Sequence, residues 1–119
     1  MLERFKVPKG TEMRVSEASL REATATIFQA VGVPRDQAEE GADVLVMTDL
    51  RGVETHGVSN GLRLYVELYK SGRLNPDPKW SVVRESPGTA VIEADAGLGI
   101  MLGRAAMNIA MEKARTVGT

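Results

Sequence analysis

The chain has 119 residues, 43% of them apolar and 26% charged, which are ordinary values for a globular protein with one small core. Its formal net charge of −1 argues against binding to nucleic acid or to an acidic membrane surface. Cysteine is absent, which excludes disulfides and cysteine chemistry in this chain. The sequence shows no targeting segment and no long apolar run, and this predicts a cytoplasmic protein without a membrane span.

The first element in the chain is predicted to be an arm. Residues 1 to 15 show no sustained hydrophobic period and contain Pro8 and Gly10, which interrupt regular structure. We therefore expect this segment to lie on a neighbouring surface, and residues 16 to 119 to form the folded portion.

Two amphipathic helices are predicted next. Ser16 is an N-cap candidate for the first helix and Gly32 closes it, whereas the second begins near Pro34 and ends at Gly52. The spacing of apolar residues predicts one buried stripe on each helix. These stripes are Leu20, Ala23, Ile27, Phe28 and Val31 on the first helix, and Ala38, Ala42, Leu45 and Val46 on the second.

A third helix is predicted from about Gly57 to Ser71, and an acidic residue lies just before it. Asp49 continues the buried stripe of the second helix and carries a carboxylate toward the start of the third. A buried carboxylate needs a hydrogen-bond partner, and both Arg51 and His56 are candidates. We interpret Asp49 and Arg51 as support residues that hold the local geometry.

The rest of the chain predicts a β-hairpin and a final helix. Residues 79 to 86 and 89 to 94 are two strands around Pro87-Gly88, with Trp80 packed at their edge. The glycines from Gly97 to Gly103 imitate a dinucleotide-binding turn only weakly, and tight packing before the last helix explains them better. The predicted fold class is therefore α+β.

The run Asp49-Leu-Arg-Gly-Val-Glu-Thr-His-Gly57 contains His56, the only histidine of the chain. Imidazole changes charge near neutral pH, so His56 is the candidate for proton transfer. The start of a helix also presents free N–H groups and a positive dipole end, which favour an anionic substrate group beside it. The alternative is a purely structural histidine at a helix start.

This run, continued to Tyr65, resembles the type 2 malate/L-lactate dehydrogenase family, whose members carry D-x-R-G-x-x-[ST]-H-G before a helix. The resemblance extends over about residues 15 to 119, including Gly72-Arg-Leu-Asn-Pro76. It implies a non-Rossmann fold, a homodimer, NAD or NADP as cofactor, and reduction of 2-oxo or imino acids. It also implies that this chain is the amino-terminal portion of such an enzyme and is inactive alone. The rest of the enzyme, which binds the cofactor, would then be a missing segment or a second polypeptide.

The resemblance makes His56 the proton donor and acceptor at the substrate oxygen. Thr55 stands where serine is more usual, and it keeps a hydroxyl for binding the substrate. Asn60 stands where many members have an arginine for a substrate carboxylate, and Arg63, one turn further, is a candidate to reach the same anion. Thr55, Asn60 and Arg63 are therefore the predicted substrate-binding residues, and the cofactor-binding residues stay unknown.

Two other hypotheses stay open. A stand-alone, non-catalytic helical binding or interaction module predicts a closed core, whereas part of a larger enzyme predicts an apolar surface that a second polypeptide covers. Half of a dinucleotide-binding domain predicts that the isolated chain binds NAD(P)H. No metal-ligand spacing is present in the sequence, so metal dependence is not expected.

Overall fold

The computed structural model describes residues 8, 10, 11 and 13 to 118. The arm predicted over residues 1 to 15 therefore lies largely outside the described residues. The described elements are α1 (Glu17–Ala30), α2 (Arg35–Leu50), a 3₁₀ turn (Glu54–His56), a π-helical turn (Val58–Leu62), α3 (Arg63–Lys70), β1 (Ser81–Glu85), β2 (Ala90–Glu93) and α4 (Gly99–Val117). This order confirms the predicted α+β class.

Helix α1 begins as predicted, and its buried face overlaps in part with the predicted stripe. Ser16 is its N-cap, because the Ser16 hydroxyl accepts a hydrogen bond from the Ser19 N–H at 3.1 Å. Phe28 is fully buried, whereas Ile27 is 41% exposed. The buried face consists of Thr24, Ala25 and Phe28, and the predicted positions Ala23 and Ile27 lie outside it. Helix α1 packs chiefly against α2, and the orientation of that contact selects the buried face.

Helix α2 is the centre of the structure. Its predicted stripe is confirmed, since Ala38, Ala42, Leu45 and Val46 are all at most 1% exposed. A Cβ on Gly41 would lie 2.7 Å from Met101 Cε of α4 and 3.2 Å from Phe28 Cε2 of α1. Small residues on α2 therefore allow both neighbouring helices to approach it closely.

Charged side chains join the same three helices at the surface. The Asp43 carboxylate of α2 accepts hydrogen bonds from Arg21 of α1 and from Arg104 of α4. Arg21 also donates to Glu17 one turn earlier at 2.8 Å. One carboxylate therefore pairs with two guanidinium groups and links both α1 and α4 to α2 at the surface.

Tyr69 of α3 closes the core against α1 and α4. Its ring meets Phe28 edge to face, with centroids 6.4 Å apart and planes at 83°, and its hydroxyl lies 3.6 Å from Met101 Sδ. The side chain is 8% exposed. This burial raises the pKa of Tyr69 from 10.0 to about 12.

The shifted pKa predicts a loss of stability in alkali. Between pH 10.0 and about 12 the phenol of the unfolded chain is ionised while that of the folded chain keeps its proton. The unfolded state then binds fewer protons, so the free energy of unfolding falls as the pH rises through this window. We expect Tyr69→Phe to remove this decline, measured by urea unfolding at a series of pH values. Parallel curves for the two proteins would contradict the assignment.

The predicted hairpin is present, with shorter strands than expected. Strands β1 and β2 are antiparallel, Val82 pairs with Ile92 and Arg84 with Val91, and the intervening Val83 forms a bulge. Strand β1 begins after Trp80, which is 38% exposed. The Lys79 N–H donates to the Asp95 carboxylate at 2.9 Å instead of extending the ladder. In the described part of the chain, both faces of this two-stranded sheet are largely uncovered.

The first glycine of the turn before α4 is a packing feature, whereas a Cβ on Gly99 or Gly103 would meet no atom of the described residues within 4 Å. A Cβ on Gly97 would lie 2.7 Å from Pro78 Cγ, so only glycine fits beside this proline. Helix α4 ends at Val117, and Gly118, at a φ of 80°, donates its N–H to the Ala114 carbonyl at 2.8 Å. Among the described helices, none is long and apolar enough to span a bilayer.

Candidate active site

The loop that joins α2 to α3 carries His56. After α2 ends, Gly52 takes a φ of 75° and donates its N–H to the Asp49 carbonyl at 2.9 Å. The following 3₁₀ turn is closed by the His56 N–H, which donates to the Val53 carbonyl at 3.0 Å. This turn holds the His56 side chain at the surface, where a substrate can reach it.

The carboxylate of Asp49 anchors the residues directly after His56. Its Oδ2 accepts a hydrogen bond from the Val58 N–H at 2.9 Å, and a Cβ on Gly57 would lie only 1.6 Å from its Oδ1. The backbone of Gly57 is extended, with a φ of −87°, so glycine is required here for space. Asp49 therefore occupies the volume that a side chain at position 57 would need.

The partners predicted for Asp49 differ from the one observed. Among the described residues, the side-chain hydrogen bond of Asp49 goes to the backbone of Val58, and not to Arg51 or His56. Arg51 follows the last residue of α2, where its N–H donates to the Met47 carbonyl at 3.1 Å and its side chain is exposed. A backbone N–H at a helix start competes well for a carboxylate because the dipole reinforces the hydrogen bond. The glycine after the histidine was the sequence signal for this contact.

The predicted third helix begins differently from expectation. Residues from Val58 to Leu62 form a π-helical turn, and the α-helical part starts at Arg63. Gly61 is buried in this turn, with Leu45 Cδ2 of α2 3.2 Å from where its Cβ would be. Close packing against α2 and the hydrogen bond to Asp49 together fix the wider turn, a form that often marks functional sites.

Three of the predicted site residues lie in direct contact. Thr55 Oγ1 is 2.8 Å from His56 Nδ1, and the Asn60 side-chain amide donates to the Thr55 carbonyl at 2.6 Å. Asn60 is half-buried, and its hydrogen bond ties the 3₁₀ turn to the π-helical turn. Arg63 is exposed at the first position of α3. The loop thus places an imidazole, a hydroxyl and an amide side by side.

A separate groove of about 460 Å³ lies between α1 and α2, away from this loop. Its charged walls are matched to one another, because Arg21 pairs with Asp43 and Arg35 donates to Glu39 at 2.7 Å. The positive charges of Arg21 and Arg35 in the groove are therefore balanced by carboxylates of the protein itself. The loop around His56 is therefore the better site for chemistry.

An exposed imidazole next to a hydroxyl is an arrangement that is chemically suited to proton transfer. Comparisons with known proteins identify the family of the chain. The sequence model of the malate/L-lactate dehydrogenase family matches residues 15–119. This chain belongs to the malate/L-lactate dehydrogenase family.

Individual relatives share both sequence and fold with the chain. It is 42% identical over 92 residues to L-sulfolactate dehydrogenase of Methanocaldococcus jannaschii, a match covering 77% of this chain and 26% of that protein. It is also 42% identical over 106 residues to malate dehydrogenase of Pyrococcus horikoshii, covering 89% and 29%. The structure of malate dehydrogenase from Pyrococcus horikoshii superposes with a TM-score of 0.85 at 40% identity, covering 95% of this chain and 32% of that chain. The chain thus spans about a third or less of the length of these relatives.

Proposed function

We propose that this chain supplies the acid–base and substrate-binding residues of an NAD(P)-dependent oxidoreductase that interconverts a 2-oxo acid and its 2-hydroxy acid. The observation that carries the proposal is the geometry of His56. Its exposed imidazole contacts the Thr55 hydroxyl at 2.8 Å, just before a helical segment whose first N–H is anchored by Asp49. Membership of the malate/L-lactate dehydrogenase family supports the reaction class.

In this proposal His56 moves one proton in each direction. During reduction, protonated His56 gives its proton to the substrate carbonyl oxygen, which becomes a hydroxyl, and during oxidation the neutral imidazole takes the proton back. Asp49 keeps Gly57 and Val58 in place, and therefore fixes the backbone that carries the imidazole. Arg51 is proposed as a second support residue at the end of α2.

A nicotinamide cofactor would supply or receive the hydride. The described residues do not provide a recognisable site for it, because the one glycine-rich turn is filled by Pro78 packed against Gly97. We therefore propose that the cofactor is bound mainly by parts of the enzyme outside these 119 residues, which by themselves would not turn over substrate. A cytoplasmic homodimer belongs to the same proposal.

For the substrate we propose a 2-oxo acid with a second anionic group. The two most informative relatives are named malate and L-sulfolactate dehydrogenases, and both names denote 2-hydroxy acids with a further acidic group. In this chain Thr55 and Asn60 are proposed to bind the carboxylate beside the reacting carbon, and exposed Arg63 the second anion. A guanidinium suits this role because it binds carboxylate or sulfonate oxygens in pairs.

Arg63→Gln tests this substrate class on the native enzyme that carries the sequence. Because a hydrogen bond to a charged group contributes about 1.5 to 3 kcal/mol, we expect KM for oxaloacetate to rise about tenfold or more. KM for pyruvate, which lacks the second carboxylate, should change by less than about threefold. The measurement is NADH or NADPH oxidation followed by absorbance.

Arg84→Gln on the hairpin is the matched control, since it removes the same charge from an exposed position outside the loop. Equal changes for oxaloacetate and pyruvate in Arg63→Gln would remove Arg63 from the site. A native protein that oxidises neither cofactor with any 2-oxo acid would favour the non-catalytic interaction module.

A further inference from the structure

We propose that Thr55 is a positioning residue that keeps the proton on Nδ1 of His56 and thereby makes Nε2 the nitrogen that exchanges a proton with the substrate. This inference rests on the proposed function, since it names the reacting atom of the same site. The contact that carries it is the 2.8 Å distance between Thr55 Oγ1 and His56 Nδ1.

The contact is held from both sides. On one side, the Asn60 amide donates to the Thr55 carbonyl at 2.6 Å and fixes the backbone from which the hydroxyl projects. The β-branched side chain of Thr55 also has few allowed rotamers, so its hydroxyl keeps a stable direction. On the other side, the Asp49 hydrogen bond to the Val58 N–H holds the backbone just after His56.

The number of protons that His56 carries during the reaction decides which of Thr55 Oγ1 and His56 Nδ1 donates this hydrogen bond. When His56 is ready to act as an acid, both ring nitrogens carry a proton, and the Thr55 oxygen must then accept from Nδ1–H. The proton on Nε2 is the one that passes to the substrate oxygen. His56 is left neutral with its remaining proton on Nδ1, still hydrogen-bonded to Thr55, so the contact is kept through the whole cycle.

The same arrangement couples the substrate to the imidazole. A threonine oxygen that accepts from Nδ1–H still has its own O–H proton, which can be donated to an anionic substrate group. When a substrate carboxylate accepts the Thr55 O–H proton, the Thr55 oxygen is left to accept a hydrogen bond from His56 Nδ1–H. The substrate therefore reinforces the tautomer whose Nε2 is free to take a proton in the oxidative direction.

The tautomer is measurable on the native enzyme that carries the sequence, with oxaloacetate bound and no nicotinamide cofactor added, so that no turnover occurs. The ¹⁵N ring signals of His56 are identified as those that are absent from the spectrum of His56→Gln. At alkaline pH we expect the ratio of Nδ1–H to Nε2–H forms to be about fivefold higher in the wild-type enzyme than in Thr55→Val. Thr55→Ser keeps a hydroxyl and should restore the wild-type ratio.

Thr55→Ala serves as a second variant without a hydroxyl, and the backbone amide spectrum of each variant reports whether the chain keeps its fold. Equal ratios in wild type and in either variant without a hydroxyl would overturn the proposal, as would failure of Thr55→Ser to restore the ratio. The proposed function fails by a different result, an unchanged turnover in a His56 variant of the native enzyme. The two failures are therefore distinguishable.

Discussion

Replacing His56 with alanine in the native enzyme is expected to lower kcat about 100-fold or more. A positioned general acid–base group contributes about 10² to 10⁴ in rate, and His56 is the only histidine of the chain and is exposed at the site. Alanine removes the imidazole and its contact with Thr55 but leaves the hydrogen bond between Asp49 and Val58 intact. The measurement is steady-state oxidation of NADH or NADPH with a 2-oxo acid.

Two controls separate loss of chemistry from loss of structure. Cofactor affinity, measured by fluorescence titration, should stay nearly unchanged in His56→Ala, because its side chain is proposed to touch the substrate. Glu54→Gln changes an exposed side chain in the same 3₁₀ turn and should keep wild-type kcat. A His56→Ala enzyme with full kcat would exclude this residue from proton transfer and leave it a structural role.

Gly57→Ala is expected to be the most disruptive small substitution in the loop. The added methyl group would lie 1.6 Å from Asp49 Oδ1 and 2.3 Å from its carboxyl carbon, so either the carboxylate or the loop must move. Overpacking of this kind costs about 1 to 3 kcal/mol in the free energy of unfolding. Displacement of the loop also moves His56, so we expect kcat to fall by about tenfold or more in the native enzyme.

A matched glycine and a double substitution sharpen this test. Gly103→Ala in α4 meets no atom within 4 Å and should be neutral or stabilising by up to about 1 kcal/mol, since alanine favours helix. Asp49→Ala alone should cost about 1 kcal/mol through loss of the hydrogen bond to Val58. In that background Gly57→Ala should cost less than about 0.5 kcal/mol, because the clash is gone.

Urea unfolding of the four proteins of this cycle gives the coupling energy between positions 49 and 57 directly. An equal cost of Gly57→Ala in both backgrounds would mean that the carboxylate does not fill the space beside Gly57. A large coupling would establish that the Asp49 carboxylate fills the space beside Gly57.

Local sequence signals were sufficient where neighbouring residues decide the structure. The Ser16 cap and the buried stripe of α2 both depend on residues within a few positions of one another, and each is confirmed. The hairpin was likewise predicted, although β1 begins later than predicted because the Lys79 N–H donates to the Asp95 carboxylate instead of extending the ladder. The buried face of α1 was predicted only in part, since Phe28 is buried but Ala23 and Ile27 are exposed, because that face depends on how α1 lies against α2.

For the site, the sequence by itself determined which groups are present: one imidazole, a hydroxyl before it, a glycine after it and an acid seven positions earlier. Only the tertiary structure decided how they pair. Arg51, His56 and the Val58 N–H are all near Asp49 in sequence, and the angle at which α2 meets the next helical turn brings the N–H to the carboxylate. That angle is fixed by packing of Leu45 against Gly61, a contact between elements that no local pattern specifies.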